Sequence, residues 1–298
     1  ISKLKDIIGG FKTSSVNLLP DGKGSIVVKS GRSQVKIPHV EGIYDDIPDS
    51  PMIGLTCTTD SSFLGLLDSS KNFVSRTFDQ VNLTYSYIGS TEDEFVISGM
   101  NGFCLFTATV PFTGEQLPDL VIPVEFTEAI VRLLAGSETV NIGLSENGRH
   151  VVISNESMTL YSPRIQQPYP EMVHKLRQST GTKLCEMDKK ETLDQLRLAL
   201  QTTEQDLIGI APTLEGNGIQ LSVPRSNIEA ELMIEDVTIT QPFECVYFQL
   251  PFFIQCINTF PPGRISMERI PDFNDAIRIS SDGNTATTTL RPYLPPES

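Results

Sequence analysis

No stretch of this sequence strings together 18 apolar residues, so no segment is built as a membrane-crossing helix. No CxxC pair occurs either. The five cysteines, Cys57, Cys104, Cys185, Cys245 and Cys256, stand singly beside apolar residues such as Leu55, Leu105, Leu184, Val246 and Ile257. An odd count in that setting points to reduced, mostly buried thiols, as in a cytosolic protein. The three histidines, His39, His150 and His174, lie far apart with no cysteine ligand nearby, which argues against a structural zinc site. Nucleotide cradles of the GxxxxGKS/T and GxGxxG kinds are missing. No Ser or Cys in a nucleophile-elbow context accompanies His39 or His174. Ser30-Gly31-Arg32-Ser33 reads as a tight turn and Glu92-Asp93-Glu94 as a solvated acidic loop. No enzyme, metal or cofactor is expected, which leaves a binding or scaffold role. The chain opens Ile1-Ser2-Lys3-Leu4 with neither a leader nor a Met, so no signal peptide is expected and a missing upstream segment is.

Basic residues are also scarce. Lys and Arg number 23 against 37 Asp and Glu, a formal net charge of -14. Taken alone, that total argues against binding nucleic acid by bulk attraction, though it leaves room for a local basic face.

What is present is a repeat, and repeats decide architecture. The stretch from Pro123 to Arg164 reads as one helix followed by three short strands. The same phrase begins the chain: a helix over Ser2–Lys12, then strands Ser15–Leu18, Ser25–Lys29 and Ser33–Ile37, with a linker at Asp45–Pro51. It returns as a helix over Leu250–Phe260 and strands around Ile265–Met267, Ala276–Ile279 and Thr287–Leu290. Val140-Asn141-Ile142 follows Val16-Asn17-Leu18 by 124 residues, and Ile265-Ser266-Met267 follows it by 125. Between the copies, Ser61–Phe73 and Lys189–Gln201 read as amphipathic helices. Strands follow each, at Val81–Tyr87 and Phe95–Ser98, and at Leu207–Ile210 and Ile219–Val223. The chain is α+β, built of five helix-plus-antiparallel-strand units: one alone, then two pairs. The expected domains are 1–50, 51–176 and 177–298, within the two or three that this length suits.

Several strings carry a resemblance to a known family. Val27-Val28-Lys29-Ser30-Gly31-Arg32-Ser33-Gln34-Val35, Val121-Ile122-Pro123 before a helix with Leu133-Leu134, Tyr161 to Glu171, and Leu290-Arg291-Pro292-Tyr293-Leu294 stand in order across nearly the whole chain. Together with the period they resemble the bacterial-type β sliding clamp, the DNA polymerase III β subunit that serves as processivity factor in DNA replication. That family has six units, so the resemblance implies that the first half of domain 1 is absent, either omitted or lost in a shortened, phage-like clamp.

The resemblance implies a DNA clamp fold, with helices lining a ring and sheets outside. It implies a head-to-tail homodimer that encircles duplex DNA without reading sequence and tethers the replicative DNA polymerase, in the cytoplasm of a bacterium or a phage-infected cell. No membrane is involved. The DNA channel would be lined by Lys3, Lys5, Lys12, Lys71, Arg76, Arg132, Lys189, Lys190 and Arg197. Acids such as Asp45, Asp46, Asp49, Glu229, Glu231, Glu235 and Asp236 would lie outside. Polymerase and clamp loader would each insert a short peptide motif into a pocket lined by Gly102, Leu105, Pro170, Met172, His174, Leu290, Pro292 and Tyr293. Pro170, Met172 and His174 would sit on a loop. Met100-Asn101-Gly102-Phe103-Cys104 departs from the family's Thr-Asp-Gly-x-Arg, so the peptide preference would differ. Ring closure would use the strand Ser33, Gln34, Val35, Lys36 and Ile37. The alternatives are a clamp-like binding platform or decoy for polymerase and loader peptides that is not itself loaded on DNA, and an unrelated repeated α+β enzyme. A closed ring requires one defined oligomer. Light scattering is therefore expected to return about twice the chain mass of 32.9 kDa; a monomer at every concentration would overturn the ring.

Overall fold

The computed structural model describes residues 7–11, 15–21, 25–38, 53–76, 83–203, 206–224 and 232–293. They fall into two compact units, one before residue 53 and one from Ile53 onward.

In the first unit a helical turn at 7–10 is followed by antiparallel strands β1 (Asn17–Pro20), β2 (Ser25–Ser30) and β3 (Ser33–Pro38), in the order β1-β2-β3. Asp21 sets the first hairpin: its N–H donates to the Ser25 carbonyl and its Oδ1 accepts from the Ser25 N–H, both at 3.0 Å. The ladder therefore runs on to Pro20 opposite Ile26, and β1 starts two residues later than the strand expected from Ser15. Gly31, at φ +59°, lets Gly31-Arg32 close the second hairpin in two residues. The rest of the helix expected over Ser2–Lys12 and the linker Asp45–Pro51 lie outside the described residues.

The second unit holds the helix-and-strand phrase twice over. Its first half runs β4 (Ile53–Asp60), α1 (Ser62–Lys71), β5 (Tyr85–Ser90), β6 (Glu94–Met100), β7 (Cys104–Gly114), β8 (Leu120–Pro123), α2 (Val124–Leu133), β9 (Thr139–Ser145), β10 (His150–Ser154) and β11 (Thr159–Pro163). After α3 (Met172–Gln178) come β12 (Thr182–Asp188), α4 (Lys189–Thr202), β13 (Leu207–Pro212), β14 (Ile219–Ser222), β15 (Leu232–Ile234), β16 (Val237–Ile239) and β17 (Val246–Gln249). The half ends with α5 (Leu250–Asn258), β18 (Arg264–Ile270), β19 (Ala276–Ser280) and β20 (Thr287–Leu290). The pairings repeat with the order. β4 pairs β9 as β12 pairs β18, and β5 pairs β8 as β13 pairs β17, all antiparallel.

Local chemistry explains the helices. α1 buries Phe63, Leu64 and Leu67 at helical spacing, and its end presses so closely on β6 that a Cβ at Gly99 would meet the Ser70 carbonyl oxygen at 2.1 Å. α4 begins at Asp188, whose side chain accepts from the Glu191 N–H at 2.8 Å. Glu191 in turn accepts from the N–H groups of Glu235 and Asp236, at 2.8 and 3.0 Å. That contact holds the bend between β15 and β16. In the first half the equivalent strand, β7, runs unbroken for 11 residues. It pairs β6 along one edge and, along the other, β20 and then β4. β7 thereby welds both halves into one 13-stranded sheet, beside a separate four-stranded sheet β15-β14-β13-β17.

Two apolar cores result. Phe63, Phe95, Ile130, Val140 and Ile142 centre one; Leu196, Phe248, Phe253, Ile257 and Ile277 centre the other, which also takes in Cys104 and Phe106 from β7. A smaller cluster of Leu83, Met100, Leu105, Val173, Leu176 and Ile270 fills the seam between the halves. The helix α3 is a correction to the loop expected after Pro170: Val173 and Leu176 are buried in that cluster, and helix is the form that turns both the same way. The strand expected from Val81 starts at Tyr85, with Leu83 and Thr84 in the preceding turn. Phe106 is fully buried and packs on Phe73 at 5.5 Å between ring centroids. Phe106→Ala is expected to cost about 3–5 kcal/mol, read as a lowered urea midpoint.

Candidate functional site

At the seam, β6, β7, α3, β19 and β20 enclose a cavity of about 250 Å³. Its walls include Gly102, Leu105, Met172 and Leu290, four of the residues expected from sequence, joined by Met100, Phe103, Leu176 and Phe273. The β6–β7 turn is set by Asn101, whose Oδ1 accepts from the N–H groups of Phe103 and Cys104, both at 3.0 Å. Gly102 takes φ +90°, a conformation that favours glycine. The turn leaves Phe103 43% exposed at the rim, stacked on Phe252 at 5.1 Å and on Tyr293 at 6.4 Å. Asn274, in the cavity wall, and Asp275 after it are both left-handed, at φ +53° and +57°. Asn and Asp tolerate that region better than other side-chain-bearing residues.

The remaining expected residues sit elsewhere. Pro292 and Tyr293 line a neighbouring cleft with Glu244, Cys245 and Arg269, which shares Asn274 and Arg291 with the cavity. The tail reaches it because the Arg291 N–H donates to the Phe103 carbonyl at 3.0 Å and the Tyr293 N–H to the Tyr247 carbonyl at 2.8 Å. Pro170 and His174 are not in the wall. Pro170 precedes α3, and its carbonyl accepts from the Val173 N–H at 3.0 Å. His174 points back into the first half, where its Nε2 is hydrogen-bonded to the Tyr87 hydroxyl at 3.1 Å. Tyr87 also stacks on Tyr169 at 4.5 Å. Burial, with the hydrogen-bonded Asp119 carboxylate adding to it, pushes the Tyr87 phenol above its ordinary range. Leu176 was legible as the i+4 partner of Met172 once that segment is read as a helix. Phe273, Asn274 and Ala276 carry no sequence signal, because only the β18–β19 connection brings them to the cavity.

Of the nine cations expected to line a channel, six are described, and four of these are engaged. Lys71 pairs with Asp68 at 2.6 Å, and both terminal nitrogens of Arg76 reach Glu128 Oε1 on α2 at 3.1 Å. Lys189 caps α5, its Nζ donating to the carbonyls of Asn258, at 3.1 Å, and Phe260. Burial, and secondarily the charge of Arg197, lowers its pKa. Arg197 lies 3.7 Å from Asp194 and 3.5 Å from the Asn258 side chain. Arg132 and Lys190 are exposed and have no ion-pair partner among the described residues. Lys3, Lys5 and Lys12 lie outside the described residues, as do Asp45, Asp46, Asp49, Glu229 and Glu231.

Ser33, Gln34, Val35, Lys36 and Ile37 form β3, at the edge of the first unit's sheet, and Lys36 is ion-paired with Asp21. Of the cysteines, only Cys245 is exposed. Burial pushes the thiols of Cys57 and Cys185 up to about 12, far from the thiolate needed for nucleophilic chemistry. No group of three or more metal-ligating side chains occurs among the described residues.

No family model matches the sequence, and no curated protein matches it. Solved structures do. The DNA polymerase sliding clamp from Pseudomonas aeruginosa aligns over 98% of this chain and 80% of its own, with 17% identity and a TM-score of 0.76. The DNA polymerase III β subunit of Thermotoga maritima aligns over 98% and 79%, with 15% identity and a TM-score of 0.79. The β subunit of Borrelia burgdorferi, solved in complex with a natural product, aligns over 98% and 80%, with 12% identity and a TM-score of 0.80. The chain has the α+β clamp fold of these proteins. Because Lys189 serves α5, Lys189→Met is expected to lower stability by about 1 kcal/mol, read as a lowered melting temperature; unaltered stability would show that its bonds to α5 carry no weight.

Proposed function

We propose that this chain is a DNA sliding clamp, a non-enzymatic subunit that closes around duplex DNA as a head-to-tail homodimer and tethers a replicative polymerase through a short peptide. The observation that carries the reading is the apolar cavity at the seam between the two halves of a clamp fold. About 250 Å³ is below the usual range for drug-sized ligands and suits one or two apolar side chains of a peptide. The peptide's anchor would rest on Leu105, Met172 and Leu290, with Gly102 at the mouth. Pro292 and Tyr293 would receive the next side chain in the neighbouring cleft. The same reading assigns domains to 1–50, 51–176 and 177–298, ring closure to β3, a clamp loader as second partner, and a cytoplasmic setting. A topological link needs little phosphate affinity, so Arg132 and Lys190, without ion-pair partners among the described residues, would suffice for sliding.

The paired state of Lys71, Arg76 and Lys189 favours a second reading, a clamp-shaped platform that collects polymerase or loader peptides without being loaded on DNA. Topology separates the two. With polymerase and loader present, a clamp is expected to stay on circular DNA and to be lost when that DNA is linearised. Equal loss from both forms would leave the platform reading. Under either reading, truncation from Tyr293 onward is expected to weaken peptide binding about tenfold; unchanged affinity would remove the cleft from the site.

A further inference from the structure

One wall of the cavity is held by a residue that does not line it. α3 contributes Met172 and Leu176, yet it has only seven residues, too few to stand without tertiary support. That support comes from both sides of the seam. From the first half, Tyr87 holds His174, and Glu94 Oε2 lies 3.9 Å from Arg177 Nη2. From the second, Arg278 on β19 sends its guanidinium to the C-terminal end of the helix. Its Nη2 donates to the Leu176 carbonyl and to the Ser179 carbonyl, the latter at 3.0 Å, and its Nη1 lies 3.6 Å from Glu268 Oε2. Carbonyls at a helix C-terminus have no donors within the helix, and a cation there is also favoured by the helix dipole. Leu176 is gripped by its backbone while its side chain forms the cavity wall. Ala276, two residues before Arg278 on the same strand, forms wall as well. The Arg278 side chain is 14% exposed, so water competes little for these bonds.

We propose that Arg278 is a positioning residue for the peptide pocket, fixing α3 and thereby the distance of Met172 and Leu176 from the wall formed by Leu105 and Leu290. One planar guanidinium reaches two carbonyls and a carboxylate at once, a geometry that a lysine ammonium on its flexible stem does not reproduce. The inference rests on the reading of this cavity as a peptide site.

The test compares wild type with Arg278→Lys, which keeps the charge, and with Glu268→Gln, which leaves the arginine in place. The probe is a fluorescein-labelled pentapeptide pool with Leu, Met or Phe at two positions, matching the one or two apolar side chains the cavity suits, and hydrogen exchange of the α3 amides is followed in parallel. Arg278→Lys is expected to weaken the peptide about tenfold with little change in melting temperature, and Glu268→Gln about threefold. Combined with Met172→Ala, the effect of Arg278→Lys is expected to shrink, because the group being positioned is gone. Combined with Tyr293→Ala it is expected to persist, and general destabilisation would not produce that contrast between the two backgrounds. Exchange of the α3 amides is expected to speed up in Arg278→Lys. Equal peptide affinity in wild type and Arg278→Lys, or losses that simply multiply with Met172→Ala, would overturn the positioning role. If wild type fails to bind the probe, the peptide reading fails by itself. Hydrogen exchange then still decides on Arg278: unchanged protection of α3 overturns the inference, and faster exchange upholds its hold on the helix.

Discussion

The four residue pairs between β7 and β20 are the contact on which the larger unit depends. Leu290, Thr289, Thr288 and Thr287 stand opposite Cys104, Leu105, Phe106 and Thr107. Successive side chains alternate between faces. Phe106 and Thr288 are buried on the helix side, while Leu105 and Thr289 reach the cavity on the other. A slip of one residue would exchange the two sets, exposing Phe106 and filling the cavity mouth with the wrong side chains. The same ladder lets Cys104, Phe106 and Ala108 join, together with Phe73, a core otherwise built from the second half. It also covers a strand edge that would otherwise lie open. Core continuity and pocket shape are thus consequences of one register.

The halves differ where they would otherwise be copies. β7 is straight, whereas its counterpart breaks into β15 and β16 at Glu235-Asp236, and Glu191 satisfies the amides that the break frees. Both residues are exposed, so Glu191 stands where water would otherwise bond these amides. Glu191, in the first turn of α4, thereby fixes the bend. Lys189, two residues earlier, closes α5 through the Asn258 and Phe260 carbonyls. The first turn of α4 is in this way tied to the strand bend and to the end of its partner helix. The charges there do structural work, which accounts for their being less available to an outside polyanion than a count of cations suggests.

Ion pairs elsewhere act differently. Arg76 with Glu128 and Arg197 with Asp194 are half exposed, and such pairs contribute about 0–1 kcal/mol to stability. Their larger effect is on the field, since each carboxylate cancels a nearby cation. On α1, α2, α4 and α5 five basic residues stand against five acidic ones, so these helices together are close to neutral rather than strongly basic. Attraction of DNA by charge alone is correspondingly weak, and a role on DNA would rest on enclosure.

The helix-and-strand phrase was legible in the residues because its apolar spacing and its Gly and Asn turns are local properties. Phe63, Leu64 and Leu67 mark α1, and Glu146-Asn147-Gly148 marks the turn between β9 and β10, whatever lies around them. The pocket was legible in part: Gly102, Leu105, Met172 and Leu290 stood out through resemblance to a family. Phe273, Asn274 and Ala276 did not, since the register of β18 against β19 brings them there. His174 and Lys189 were legible as residue types but not in their roles. A histidine beside a pocket motif and a lysine at a helix start look the same in sequence whether they face a ligand or a neighbouring carbonyl. Sequence determined most of the helices, strands and turns, because those preferences act over a few residues; α3, expected as a loop, is helix through its burial at the seam. Tertiary structure decided which charges are spent inside the protein and which side chains meet at the seam, because both depend on contacts distant in sequence: Arg76 finds Glu128 52 positions away, Lys189 finds Phe260 71 away, and Leu290 meets Cys104 across 186.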